Sequence, residues 1–212
     1  MPRQNRVTPF GTIIATSERG TFMGNRGRLH DEGGRIRRPW QVKRWLLCVL
    51  EFRGRKRVIM APDRYTELFF LDEATGFAAG HRPCAECRHS RFVAFRDAWA
   101  AGNPTFVAAA RATADLLDAH LHAERLGPDR SKPTFRANLD DLPDGVFLLR
   151  KSDIATACLL WQGHLLVWSP GGYTRLPMCS GPEEVEVLTP RSTVAAIRAG
   201  YIPDVHPTAS NA

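Results

Sequence analysis

The segment Gly-His-Arg-Pro-Cys-Ala-Glu-Cys, residues 80–87, connects two helices that the sequence predicts, and its last four residues begin the second of them. The first is short: Asp72 can accept a hydrogen bond at its N-terminus, and Gly80 is the residue type that commonly ends a helix. The second covers 84–99, where apolar residues recur every three to four positions, a spacing typical of a helix with one buried face. Those residues are Phe92, Phe95 and Trp99.

Upstream of this segment, the sequence predicts a few strands among turns. The first 40 residues are rich in Gly and Arg and are expected to be mostly loop, with one strand over 12–16. Residues 45–52 resemble a buried strand, and the charged turn at 53–56 should return the chain into 58–60. We therefore expect a hairpin here, followed by a further strand over 67–71.

Downstream, the pattern predicts a long helix over 107–126 and then a meander of short strands. The strand candidates are 146–149, 154–161, 164–168, 173–176 and 185–188. Thr189 and Pro190 predict the N-cap and the first turn of a last helix over 191–199, closed by Gly200.

These elements together predict an α+β fold, with an N-terminal hairpin plus helices followed by a β-rich C-terminal half. We expect two domains, a basic one over 1–102 and a second one over 103–212 with a helix and an antiparallel sheet. A single continuous domain is the alternative, because 212 residues can share one core.

Two cysteines, Cys84 and Cys87, stand at the start of the second predicted helix. Thiolates at this spacing can bind one metal ion, and a helix N-terminus favours their negative charge. The pair supplies only half of a tetrahedral zinc site, so the remaining ligands would have to come singly from elsewhere. The candidates are Cys48, His81, His89, His30 and Cys179. A redox dithiol and two reduced cysteines that only pack are the alternatives.

The residues from 73 to 88 resemble part of the Ada-type metal-binding domain, in which a short helix ends in Gly, an aromatic residue, Arg and Pro before Cys-x-x-Cys. The likeness extends back to residue 45 if the predicted hairpin and strand are included. In that family, four cysteines bind zinc in the N-terminal module of a DNA repair protein that accepts methyl groups from phosphotriesters. The resemblance implies a related fold here, with Cys84 and Cys87 as zinc ligands.

The sequence departs from that family between the predicted hairpin and the next strand. The family's first cysteine pair, which includes the methyl-accepting thiolate, belongs in this stretch, but residues 61–66 contain no cysteine. We therefore do not expect methyl transfer. A rebuilt or vestigial metal site is expected instead, with Cys48 as the nearest upstream thiol.

The positive charge of the chain is concentrated near its N-terminus. Residues 1–58 contain 14 Lys and Arg against 4 Asp and Glu, whereas residues 59–212 contain 15 against 18. Basic residues alternate with aromatic ones in part of this segment, a mixture that suits phosphate contacts and base stacking. We predict nucleic-acid contacts, with DNA as the expected partner, by Arg26, Arg28, Arg35, Arg37, Arg38, Trp40, Lys43 and Arg44. A solvated basic loop without a partner is the alternative.

An enzymatic role is the second hypothesis. Asp118 and His122 are four residues apart on the predicted long helix, so the carboxylate could orient the imidazole as a general base. Glu124 lies nearby in sequence, and a DNA-processing or nucleotide-modifying reaction between the two halves would use these three residues. A structural or regulatory partner protein without a ligand is the third hypothesis.

Several classes have no support in the sequence. There is no Gly-rich phosphate loop, no Gly-x-Ser-x-Gly and no His-Glu-x-x-His. No apolar run is long enough to span a bilayer, and no secretory signal is recognisable at the N-terminus. We therefore expect a cytoplasmic protein that does not bind a membrane, with reduced thiols.

Overall fold

A computed structural model describes residues 1–107, 112–129, 131–177, 183–210 and 212. It contains both helices and sheets, which confirms the α+β class. Four α-helices are described, namely α1 (Glu73–Ala78), α2 (His89–Gly102), α3 (Ala114–Arg125) and α4 (Arg191–Arg198). Within the described ranges, no helix is long and apolar enough to cross a membrane.

The first sheet belongs to the N-terminal half. Its strands are β1 (Gln4–Val7), β2 (Ile13–Ala15), β3 (Phe22–Asn25), β4 (Leu46–Cys48), β5 (Leu68–Phe70) and β6 (Arg82–Pro83). Their spatial order is β2-β1-β5-β3-β4-β6. The pairs β1–β5 and β4–β6 are parallel, and the other pairs are antiparallel.

The second sheet belongs to the C-terminal half and is antiparallel throughout. Its strands are β7 (Phe135–Asn138), β8 (Val146–Arg150), β9 (Asp153–Trp161), β10 (His164–Ser169), β11 (Gly172–Arg175) and β12 (Glu184–Val187). The order β11-β10-β9-β8-β12-β7 contains the meander that the sequence predicted, from β8 to β11. Strands β12 and β7 extend this sheet beyond β8.

The connection between α1 and β6 is the part of the fold that positions the site. Asp72 accepts a hydrogen bond from the backbone N–H of Thr75 at 2.8 Å, which confirms its predicted role as N-cap of α1. Gly80 has a φ of 84°, and a Cβ atom there would lie 2.6 Å from the side chain of Arg125. Glycine is therefore required both by the turn and by the close packing of Arg125.

A continuous apolar core joins the two halves. One cluster of buried side chains includes Phe95 and Trp99 of α2, Val146 of β8 and Ile197 of α4. Gly102 lies against α4 so closely that a Cβ atom there would be 2.3 Å from the carbonyl oxygen of Ala195. These contacts cross the boundary that the sequence suggested at residue 102.

The predicted hairpin over 45–60 is wrong. Strand β4 pairs with β3 and with β6, not with residues 58–60, where no strand forms and Val58 is 74% exposed. The first 40 residues also hold more structure than predicted, because β1 and β3 form there. Each of these strands has four residues. Strand β3 pairs with the distant β4 and β5, which local patterns do not reveal, whereas β1 pairs with its neighbour β2 and contacts the distant β5.

The starts of two helices and the cap of a third differ from prediction. Helix α2 begins at His89, not at residue 84, so Cys84 and Cys87 precede it. Helix α3 begins at Ala114, where the side chain of Thr113 accepts a hydrogen bond from Leu116 N–H. Residues 108–111 of the predicted helix lie outside the described ranges. Pro190, not Thr189, is the N-cap of α4, and the Thr189 hydroxyl instead accepts a hydrogen bond from the backbone N–H of Phe147.

Candidate metal centre and adjoining cationic cavity

Three thiols converge at the end of the parallel pair β4–β6. Cys48 is the last residue of β4, and Cys84 directly follows β6. The backbone N–H of Cys84 donates to the carbonyl of Leu47 at 2.8 Å, which extends the strand pairing up to the two cysteines. Cys87 lies one turn further along the chain. The Sγ atoms of the three residues all lie within 4.8 Å of one another.

The three thiols influence one another's protonation. Hydrogen bonds from Cys48 and Cys87, and then from backbone N–H groups of Cys87 and Glu86, lower the pKa of Cys84. The same contacts with Cys84 and Cys87 raise the pKa of Cys48. Cys84 is therefore the sulfur on which negative charge is best stabilised, and thiolates are the form in which cysteines bind metal ions.

This arrangement could hold a metal ion. Tetrahedral zinc with thiolate ligands places sulfur atoms roughly 3.8 Å apart, since each Zn–S bond is about 2.3 Å. The observed separations, all within 4.8 Å, are compatible with that geometry. Among the residues that the structure describes, no other His, Cys, Asp or Glu joins the cluster. Cys179, a ligand candidate from the sequence, lies outside those residues.

The predicted histidine ligands are not part of the cluster. His81 is completely buried between Trp45 and Phe70, and its Nε2 accepts a hydrogen bond from Arg26 at 3.2 Å. Burial and then the nearby Arg26 lower its pKa, so the ring is neutral at pH 7. His30 is hydrogen-bonded to Thr66. The expectation that His81 is a metal ligand is therefore not supported by its position.

The partner of His81, Arg26, lines a second site, a cavity of about 640 Å³ beside Trp45. The guanidinium groups of Arg26 and Arg125 lie 3.9 and 4.0 Å from the Trp45 ring centroid. Lys132 completes the group of cations and donates a hydrogen bond to the carbonyl of Ala78. We call this space the cationic cavity and define it by Arg26, Arg125 and Lys132.

The surroundings of the cationic cavity disfavour the protonated forms of the residues that define it. Burial lowers the pKa of Arg26, and the neighbouring Arg125 lowers it further. Burial likewise lowers the pKa of Lys132 to about 7, with further repulsion from Arg26 and Arg125. The sequence predicted Arg26 as an exposed phosphate contact, but its side chain is buried, at 1% exposure. The sequence missed Arg125 and Lys132 as site residues, because no local pattern links them to Arg26.

The other basic residues predicted to bind nucleic acid lie on the surface. Arg28, Arg35, Arg37, Arg38, Lys43 and Arg44 are exposed. Arg28 is paired with Asp63, and Arg37 with Asp31. Arg37 and Arg38 line the cavity. Trp40 is partly buried, with its ring 4.6 Å from that of His122, and Trp45 is in the core as expected.

The three candidate catalytic residues form hydrogen bonds with other residues of the protein and not with one another. Asp118 is buried and accepts two hydrogen bonds from Arg82, at 2.9 and 2.7 Å, although helical spacing had paired it with His122. His122 Nδ1 lies 3.1 Å from an amino group of Arg125. Glu124 accepts hydrogen bonds from the backbone and hydroxyl of Ser192, at the N-terminus of α4. The predicted Asp118–His122 pair is therefore not formed.

Comparison with known proteins adds no relative, because no family model, no curated protein and no solved structure matches the chain.

Proposed function

We propose that this protein associates with nucleic acid and contains a structural zinc ion bound by Cys48, Cys84 and Cys87. The observation that supports the nucleic-acid role best is the position of Arg37 and Arg38. Both are exposed, and both line a cavity that also holds three further cations. A surface of this charge attracts phosphate groups, because each contact releases counterions from the nucleic acid.

The zinc ion is supported by the chemistry of its three donors. Sulfur ligands favour zinc over magnesium or calcium, which prefer oxygen. The ligands come from β4 and from the turn after β6, so a bound ion would tie these two strands to the start of α2. That position is typical of a structural role. It also rebuilds the Ada-like half-site of Cys84 and Cys87 with Cys48 as the third ligand.

Binding to DNA can be tested by fluorescence anisotropy of a labelled duplex at several salt concentrations. The proposal predicts that affinity falls steeply with salt and that Arg37→Glu with Arg38→Glu weakens binding to every sequence. A matched control carries Arg136→Glu with Arg175→Glu, which changes the net charge equally on exposed positions of the C-terminal sheet. Affinity that is insensitive to salt, or equal losses in both variants, would refute the proposal.

A further inference from the structure

The cationic cavity contains buried positive charge without a matching negative charge. Arg26, Arg125 and Lys132 line it, and no Asp or Glu is among its lining residues in the part of the chain that the structure describes. Asp31, the nearest acidic partner of a rim residue, is already bound to Arg37 at 2.7 Å. The nearby Asp118 is paired with Arg82. Burial lowers the pKa of Arg125 to about 9, and the charge of Asp118 offsets that lowering only in part.

The hydrogen bonds of Arg26 show that its charge is not compensated. Its Nε donates to His81 Nε2, and its Nη1 donates to the carbonyl of Gly11 at 2.9 Å. Both acceptors are neutral. Its Nη2 is buried and has no hydrogen-bond partner, and the Nε atom of Arg125 is likewise buried without a hydrogen-bond partner. Two donors on guanidinium groups that line one cavity therefore lack an acceptor.

Native proteins rarely leave buried donors unsatisfied, and a buried cation without a counter-charge is especially unfavourable. Here two guanidinium groups and an ammonium group repel one another across the same space. An anion in the cavity would offset this repulsion, because its negative charge would lie beside all three cations. The arrangement is that of a binding site for a ligand with more than one negative oxygen.

We propose that the cationic cavity binds the phosphomonoester group of a nucleotide, either free or at the end of a nucleic-acid strand. A phosphomonoester carries between one and two negative charges near pH 7 and presents three acceptor oxygens, enough for all three cations. An internal phosphodiester of a duplex carries one charge and lies on the duplex surface, so it does not reach the buried Arg26.

The rest of the cavity suits a nucleoside. Phe10, Ile13 and Ile36 give it an apolar wall, and a volume of about 640 Å³ exceeds what phosphate alone would fill. Small-molecule sites commonly combine a mostly apolar lining with a few polar groups that fix orientation. A ligand with a charged phosphate and an apolar body is complementary to both parts of the lining.

The end-of-strand form of this inference rests on the proposed nucleic-acid function, whereas the free-nucleotide form does not. We would titrate the full chain with AMP by isothermal calorimetry, with adenosine and inorganic phosphate in parallel. We expect AMP to bind, adenosine not to bind, and inorganic phosphate to bind more weakly than AMP. Absence of AMP binding at millimolar concentration to the folded protein would overturn the inference.

Lys132→Met is the variant of choice, because Lys132 makes one hydrogen bond to the protein and Met keeps its apolar stem. We expect it to lower AMP affinity at least tenfold. Lys151→Met removes an exposed ammonium group paired with Glu184 and should leave AMP affinity unchanged. Equal affinity of AMP for wild type and Lys132→Met would show that binding occurs elsewhere and would overturn the assignment.

A second titration compares one labelled single strand with and without a 5′-phosphate. Preference for the phosphorylated strand, lost in Lys132→Met, would support recognition of strand ends. If AMP binds in the cavity but neither these strands nor the labelled duplex binds, the site takes free nucleotides and the proposed nucleic-acid function fails. If both strands bind equally to wild type and to Lys132→Met, and AMP does not bind, the nucleic-acid proposal stands and the cavity inference fails.

Discussion

Glu73 and Arg26 are both fully buried charged residues, but their hydrogen-bond partners differ. Glu73 accepts hydrogen bonds from Arg88 and Tyr201 on one oxygen and from Arg91 and the Asp204 backbone on the other. Arg26 has two neutral acceptors and one buried nitrogen without a partner.

The difference indicates which buried charges are structural and which await a ligand. The buried carboxylate of Glu73 accepts hydrogen bonds from two arginines and a tyrosine, so its charge is balanced within the fold. The cationic cavity and the three-cysteine cluster instead gather groups of one kind, and neither contains its own counter-charge among the described residues. A bound metal ion would supply the missing positive charge at the cysteines, and a bound anion would supply the missing negative charge in the cavity.

The largest expected effect concerns the Glu73 contacts. Glu73→Gln leaves the buried Arg88 without its carboxylate partner at the Glu73 position, and breaking such a pair costs about 3–5 kcal/mol of unfolding free energy. Urea denaturation followed by circular dichroism measures this change. Glu184→Gln, which breaks an exposed pair with Lys151, should cost less than about 1 kcal/mol. Similar losses in both variants would remove the basis of the comparison.

A somewhat smaller effect is expected from metal removal. A ligand present at 100 times its dissociation constant stabilises the folded state by about 2.7 kcal/mol, so chelation should lower the Tm of wild type. The variant Cys84→Ser with Cys87→Ser should already have the lower Tm and should not respond to the chelator. Cys158→Ala, at a buried cysteine of β9 outside the cluster, should respond as wild type does. An unchanged Tm of wild type would contradict a structural metal.

Loss of a cavity cation should hardly affect the free protein. Lys132→Met removes one of three mutually repelling charges, so we expect its unfolding free energy without ligand to lie within about 1 kcal/mol of wild type, or above it. The same urea denaturation measures it, in buffer without phosphate. A loss as large as that of Glu73→Gln would mean that Lys132 is structural.

A dependence on pH is the last expected effect. The folded pKa of Lys132 is about 7, below the ordinary 10.5, so between these values the unfolded chain binds more protons at this residue than the folded one. Stability from this residue therefore rises with pH from about 7 towards 10. The unfolding free energy of wild type relative to Lys132→Met should increase between pH 7 and pH 9.5. A constant or falling difference would contradict the repulsion in the cavity.

The sequence predicted those parts of the fold whose signals are local. The Asp72 cap and the C-terminal meander follow from adjacent residues, and the structure confirms both. Strand β3 was missed because it pairs with β4 and β5, far along the chain, and β1 was missed although its neighbour β2 is one of its partners. The hairpin was wrong because β4 pairs instead with β6, which has only two residues.

The same division applies to the two sites. Cys84 and Cys87 were recognisable from their spacing, and Cys48 could be named as a candidate because few thiols lie upstream. The cationic cavity unites residues 26, 125 and 132, which the topology brings together around Trp45. The one local sign was Gly80, whose missing side chain leaves space for Arg125, but that sign has meaning only once the packing is known.

The zinc content of the purified, untagged protein tests the proposed function most directly. Elemental mass spectrometry should find one zinc ion per chain in wild type and in Cys158→Ala, and none in Cys84→Ser with Cys87→Ser. The absence of zinc from wild type, or equal zinc in the double variant, would contradict the proposal that the three thiols form a zinc site.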